Sequence, residues 1–201
     1  MNILLTGGAG YIGSHTALSL IDKGHSVTVI DNLITGNKTL IPAKAKHYNF
    51  DIADENSIQK ILKENKFDIV MHFAGLTRVD ESVKYPEKYQ LYNFEKSKIF
   101  FSLCIKNNLK KIIFSSSAGV YGNSNSNSLT EDSELKPINP YADSKYQIEN
   151  FLIEISKKDK VDYIILRYFN VAGADKSNRS GLIAKSSTNL IKVLCEVATN
   201  K

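Results

Sequence analysis

Cysteine, long apolar runs and clustered charge are all scarce in this sequence, and each scarcity removes a class of protein. Only two cysteines occur in 201 residues. Cys104 and Cys195 lie far apart and outside any Cys-x-x-Cys pattern, which excludes a disulfide framework and leaves both as reduced, structural thiols. The four histidines do not group with them, so no metal is expected. No apolar run approaches the roughly 20 residues that a membrane-crossing helix needs. The opening MNILLTGGAG has neither a basic leader nor a small-residue cleavage site. A soluble, cytoplasmic protein with no membrane partner is the expectation. The net charge is +5, but lysines are interleaved with acids. The nearest approach to a cluster, Lys157, Lys158 and Lys160, includes Asp159 and Asp162. A solvated helix end accounts for that run better than a nucleic-acid surface does.

What remains is an alternation. Short apolar runs (NILLTG, SVTVID, HYNFDI, FDIVMHFAG, KKIIFSSSA, VDYIILRYF) read as strands buried on both faces. Between them Tyr11 to Lys23, Glu55 to Glu64, Pro86 to Lys106 and Pro140 to Lys157 read as helices, the last two opening on proline. Such alternation predicts crossover units and an α/β fold: a Rossmann-like, doubly wound parallel sheet in the order 3-2-1-4-5-6. The polar segment GNSNSNSLTEDSELKPINP reads as a long loop, a binding lid or a passive insertion. Asn189 to Ala198 is a last helix-patterned piece.

The turn TGGAGYIGSH can be parsed as Gly8-x-Gly10-x-x-Gly13 or as Gly7-x-x-Gly10-x-x-Gly13. It follows a strand and opens a helix, the context in which glycines let the backbone approach a pyrophosphate. Asp31 stands eighteen positions after Gly13 at a strand end, close to the ~20 expected for the acid that binds an adenosine ribose. A carboxylate there accepts from the 2′-hydroxyl of NAD and repels the 2′-phosphate of NADP, and neighbouring Asn32 and Leu33 supply no compensating cation. NAD is therefore the expected cofactor. Asp51 and Ile52 after the third strand, and Phe73, Ala74 and Gly75 after the fourth, occupy further carboxyl ends where ligands bind.

The fifth strand runs into Ser115, Ser116 and Ser117, and the next helix opens with Tyr141 and carries Lys145 at i+4. An ammonium near a phenol favours the phenolate and so can make a general base. Tyr92 and Lys96 repeat the spacing without a hydroxyl-bearing strand end before them, and read as surface residues.

These features together resemble the short-chain dehydrogenase/reductase superfamily in its extended form acting on nucleotide sugars. Within it TGGAGYIGSHTALSL, DNLITG, HFAGLTRVDESVKYP, FSSSAGVYG, NPYADSK and LRYFNVAGA resemble the UDP-glucose 4-epimerase family along nearly the whole chain. That resemblance implies Tyr141 as catalytic base, Lys145 holding the nicotinamide ribose and tuning Tyr141, and Ser117 bonding the sugar 4-oxygen. It implies NAD contacts from Gly7, Gly10, Tyr11, Ile12, Gly13, the stretch Asp31, Asn32, Leu33, Ile34, Thr35 and Gly36, then Asp51, Ile52, Phe73, Ala74, Gly75, Leu76, Thr77, Asn93, Tyr141, Lys145 and Phe169. It implies UDP-sugar contacts from Ser117, Tyr141, Asn170, Asn189 and Leu190, and a homodimer through helices 86–106 and 140–157. Residues 1–172 would form the NAD-binding domain and 173–201 the first fragment of a truncated substrate-binding lobe. Interconversion of UDP-glucose and UDP-galactose is the implied activity, with another UDP-sugar, or a cofactor-binding module without turnover, as alternatives. A 4,6-dehydratase would carry Asp-Glu after its strand-end hydroxyl, where this chain has Ala118-Gly119. Two departures stand out: Thr77-Arg78 where the family has Lys directly after Phe-Ala-Gly-Leu, and Phe94-Glu95-Lys96 in place of Val-x-Gly.

Overall fold

A computed structural model describes residues 1–124, 128–183 and 189–200. Six parallel strands form one sheet: β1 (Asn2–Thr6), β2 (Ser26–Ile30), β3 (Lys46–Tyr48), β4 (Ile69–His72), β5 (Lys111–Ser117) and β6 (Asp162–Tyr168), in the order β3-β2-β1-β4-β5-β6. This is the expected doubly wound order. The strand boundaries are tighter than the apolar runs suggested. The second strand stops at Ile30 and the third at Tyr48, so Asp31 and Asp51 lie in the loops beyond. The expectation of two-sided burial holds for β1 and β2, gives way at β4, where buried and half-buried residues alternate, and fails at the edge strands β3 and β6, in which no residue is buried.

Helices α1 (Tyr11–Asp22), α2 (Glu55–Glu64), α3 (Val79–Lys84), α4 (Pro86–Tyr89), α5 (Lys96–Lys106), α6 (Pro140–Asp159) and α7 (Leu190–Ala198) complete the described elements. The expected single helix from Pro86 is three pieces, because a π turn at Gln90–Glu95 joins α4 to α5. On one sheet face α2, α5 and α6 bury Ile58, Phe100, Phe101, Ile148 and Leu152 against Leu4, Val70, Ile112 and Phe114. His72 lies within this core. Its Nδ1 pairs with Thr6 Oγ1 at 2.7 Å and its Nε2 with Ser97 Oγ at 2.9 Å. Burial, with Lys145 adding to it, pushes its pKa down to about 3, so it is a neutral structural group.

The opposite face is covered by α1, which packs Ala17 on Leu5, Val27 and Val29. The register places Leu5, Met71, Ile113 and Ile164 in one row. Cover runs out along it: Leu5 is fully buried and Ile164 is 55% exposed. The apolar residues of α7 are exposed too, Leu190 and Val197 among them. Residues 173–180 lie against α1 instead, tied by Tyr11 Oη donating to the Gly173 carbonyl (2.6 Å), the Ser14–Ser180 hydroxyl pair (2.6 Å) and Arg179 to Asp22 (2.7 Å).

Candidate active site

The turn between β1 and α1 is shaped by two close approaches. Gly7 has φ +75°, and a Cβ on it would stand 2.5 Å from the Ala74 nitrogen; one on Gly13 would stand 2.2 Å from the Gly7 carbonyl oxygen. Larger residues would therefore push the turn off β4 and α1 away from the sheet. Helix α1 starts from Gly10 without a side-chain cap and without an acid in its first turn. Its leading N–H groups and positive end of the dipole are thus left to an anion. Asp31 closes the other side: its carboxylate accepts from Ala9 N and Leu33 N, both at 2.9 Å, with Gly36 packed against it.

From this turn a cleft runs outward across the carboxyl ends of β1, β2 and β3. It gathers Gly7, Gly10, Asp31, Asn32, Ile34, Thr35, Gly36, Asp51, Ile52, Phe73, Ala74, Gly75 and Leu76. Thirteen of the expected cofactor residues thus share one wall. Four residues not expected there join them: Ile30, Phe50, Tyr92 and Lys96. Reading Tyr92 and Lys96 as plain surface residues is overturned. Lys96 Nζ reaches the Asp51 carboxylate at 2.6 Å and sits 3.9 Å from the centroid of the Tyr92 ring. The signal that could have found Lys96 was its departure from glycine in the family pattern.

Asn93 is not at the cleft surface but holds it. Its Oδ1 accepts from Leu76 N (2.7 Å), and its Nδ2 donates to Leu76 O (3.0 Å) and Ser144 Oγ (3.1 Å). The π turn aims it inward, a use of that geometry common at functional sites. Arg78 is not among the residues that line the cleft. Its guanidinium is bound to Asp80 at 2.6 Å on the exposed start of α3.

The second cluster lies where β5 meets α6. Asn139 caps α6, its side chain accepting from Ala142 N at 2.9 Å, and Pro140 fills the first position. The cap fixes Tyr141 in the first turn and Lys145 one turn on, facing the end of β5. The Ser117 hydroxyl accepts from Gly119 N at 3.1 Å and lies beside Tyr141. Burial pushes the Tyr141 phenol up, and the Ser117 hydrogen bond pulls it back. Tyr89, fully buried, meets the Tyr141 ring edge-on at 6.4 Å. Lys145 Nζ donates to the Ser115 carbonyl at 3.0 Å beside Gly75, which links the cluster to the cleft. Burial drops the Lys145 pKa to about 8, against an opposing pull from Glu149.

That depression makes a sign-definite prediction. The folded pKa lies below the unfolded value of 10.5, so the unfolded chain binds the extra proton between about pH 8 and 10.5. Stability from this group is therefore lowest below pH 8 and recovers as pH rises through that window. Lys145→Met removes the dependence. Its unfolding free energy relative to wild type should fall by roughly 3 kcal/mol between pH 7 and pH 10.5. Urea titrations across that range check this; a pH-independent difference would show that the ammonium is not buried as described.

The remaining expected residues are more dispersed. Tyr11 is engaged with Gly173, Ile12 is half-buried, and Leu33 takes φ 60° as its N–H turns to Asp31. Thr77, Phe169 and Asn170 are exposed. Asn189 caps α7 and donates to the Val171 carbonyl at 3.2 Å. Leu190 projects into solvent. Of the polar loop after Gly122, the described part returns over Gly122, whose Cβ position is taken by the Lys136 carbonyl, and is tied to the sheet by Arg167 bonding the Glu131 carbonyl at 3.0 Å.

The model of the NAD dependent epimerase/dehydratase family matches residues 3–198. The UDP-glucose 4-epimerase of Lactobacillus helveticus is 42% identical over 191 residues, 95% of this chain and 58% of its own length. The crystal structure of UDP-glucose 4-epimerase from Brucella ovis in complex with NAD superposes with a TM-score of 0.94 at 33% identity, over all of this chain and 62% of that one. The Bifidobacterium longum enzyme, solved with NAD+ and UDP, gives 0.92 at 36% identity over 99% and 62%. The chain thus spans about three fifths of the length of the relatives it matches.

Proposed function

This chain belongs to the NAD dependent epimerase/dehydratase family, and from that premise we propose that it binds NAD and takes part in interconverting UDP-glucose and UDP-galactose at sugar C4. The observation that carries this reading is the approach of Lys145, from the cluster it forms with Ser117 and Tyr141, to Gly75 of the cleft that the glycine turn and Asp31 line. The glycine cradle and buried ribose acid fit a dinucleotide. NAD, when bound, supplies the acceptor and donor of the C4 hydride. Tyr141 takes the proton of the sugar 4-hydroxyl and returns it, and Ser117 bonds the same oxygen. Lys145 holds the nicotinamide ribose, and its charge favours the phenolate. Ala118, with no carboxylate, follows Ser117, which favours epimerisation over the elimination of water that a dehydratase performs.

Residues 1–172 are assigned to the cofactor and the catalytic side chains. Residues 173–201 are assigned to the start of a lobe holding the UDP-sugar, with Asn170, Asn189 and Leu190 on its approach. The uncovered row ending at Ile164 and the bare apolar face of α7 support that division. A groove between α5 and α6, floored by Phe94, Ile105, Phe151 and Ile155, supports pairing of two copies.

Mass spectrometry for retained NAD, turnover of UDP-galactose and the sedimenting mass of one preparation test the three parts. NAD retained without turnover would reduce the reading to a cofactor-binding module. Separately, Asp31→Ala should narrow the preference for NAD over NADP by at least about tenfold, since it removes both an acceptor for the 2′-hydroxyl and the charge that repels a 2′-phosphate. Titrating both dinucleotides against both proteins checks this, and tighter NADP binding by the wild type would sink it.

A further inference from the structure

Three serines end β5, and the proposed chemistry uses the hydroxyl of the last alone. Alternation along the strand puts the Phe114 and Ser116 side chains on the face that α6 covers, and the ladder pairs Ser116 with Arg167 of β6. Both reach Glu149. Arg167 meets it through Nη2 at 2.8 Å, and the Ser116 hydroxyl donates to Oε1. Ser116 is 3% exposed and the Glu149 side chain is fully buried, so solvent does not compete for this bond. One turn earlier on α6, Lys145 Nζ donates to the Ser115 carbonyl at 3.0 Å. Consecutive turns of the helix thus grip consecutive residues of the strand. The Ser115 carbonyl and the Ser116 nitrogen belong to one peptide plane, so a side chain that anchors Ser116 also sets where that carbonyl points.

That direction matters because the carbonyl is the one hydrogen-bond acceptor that Lys145 meets among the described residues. The ammonium otherwise lies over the Phe114 ring at 5.1 Å and beside Gly75. The ionisable groups around it are neutral His72 of β4, and Tyr141 and Glu149 on its own helix, of which Glu149 favours its charge. We propose that Ser116 is a positioning residue: anchored by Glu149, it holds the Ser115 carbonyl on the Lys145 ammonium. This rests on the reading of Tyr141 and Lys145 as base and partner.

The test titrates the Lys145 ammonium directly, by NMR of protein carrying ¹³C at lysine Cε, with the signal assigned by its loss in Lys145→Met. The wild-type midpoint should lie at about 8. Ser116→Ala leaves the Glu149–Arg167 pair in place and should lower that midpoint by about half a unit or more, because an ammonium that stays buried loses its acceptor. Ser116→Thr keeps the donor and should keep the wild-type midpoint, which separates the hydroxyl from a disturbance of packing. At pH 8 the UDP-galactose turnover of Ser116→Ala should fall about twofold or more, as less ammonium remains to favour the phenolate. A midpoint unmoved in Ser116→Ala, or raised toward 10.5 as water enters, would overturn the inference. Equal shifts in both variants would overturn it too, as would a shifted midpoint with unchanged turnover. A wild type without turnover would sink the proposed function instead, and the titration alone would then decide whether Ser116 holds the carbonyl on Lys145.

Discussion

Replacing Tyr141 by Phe is expected to lower UDP-galactose turnover by roughly two to four orders of magnitude. On the reading proposed above, the phenol exchanges a proton with the sugar: it stands in the first turn of α6, beside Ser117, with the Lys145 ammonium one turn along. Phe keeps the ring, its burial and its edge contact with Tyr89, and removes only the hydroxyl. Loss of one hydroxyl should cost no more than about 1 kcal/mol of stability, so the thermal midpoint should move little while turnover collapses. Initial rates set against a melting curve separate the two effects. A loss of turnover below about tenfold would show that proton transfer at Tyr141 is not what sets the rate.

How far each part of this site could be read from sequence follows the distance over which its residues act. The glycine turn, Asp31 and the Tyr141/Lys145 pair are local. A strand end, a turn and the first two helical turns fix them, and hydrophobic periodicity locates all three. The sheet order was legible for a related reason, since alternating strands and helices admit few parallel arrangements. Tyr92 and Lys96 have the same spacing as Tyr141 and Lys145 and were misread. Their place depends on a π turn, which no periodicity marks, and on the approach of α5 to the loop after β3. That loop belongs to an element 45 residues away from Lys96. The strand ends were blurred because nothing in composition marks where pairing stops: Asp31 follows Ile30 directly and still donates to the Tyr48 carbonyl at 3.2 Å, and Asn49, Phe50 and Asp51 follow Tyr48 directly.

A buried ion pair was invisible for the same reason, and it carries the second large effect. Glu149, about two turns of α6 beyond Tyr141, has a fully buried side chain. It pairs with Arg167 of β6 through Nη2 at 2.8 Å and Nε at 3.2 Å, and accepts from the Ser116 hydroxyl next to Ser117. Arg167 in turn donates to Tyr121 Oη at 2.9 Å and to the Glu131 carbonyl at 3.0 Å. One ion pair thus joins α6, the end of β5, the edge strand and the polar loop. Removing one partner leaves a charge buried and unanswered. Glu149→Leu or Arg167→Met should each destabilise the protein by roughly 3–5 kcal/mol, whereas changing both together should cost much less than their sum. Urea unfolding of the two single variants and the double variant measures the coupling. The double variant would still release the Glu131 carbonyl and leave the Ser116 hydroxyl unpaired. Turnover should therefore stay depressed even where stability returns, because Ser117 and Tyr141 are held by the strand end and the helix that this pair ties together. Additive losses in the three variants would show that Glu149 and Arg167 are stabilised independently, and that the loop is anchored by other contacts.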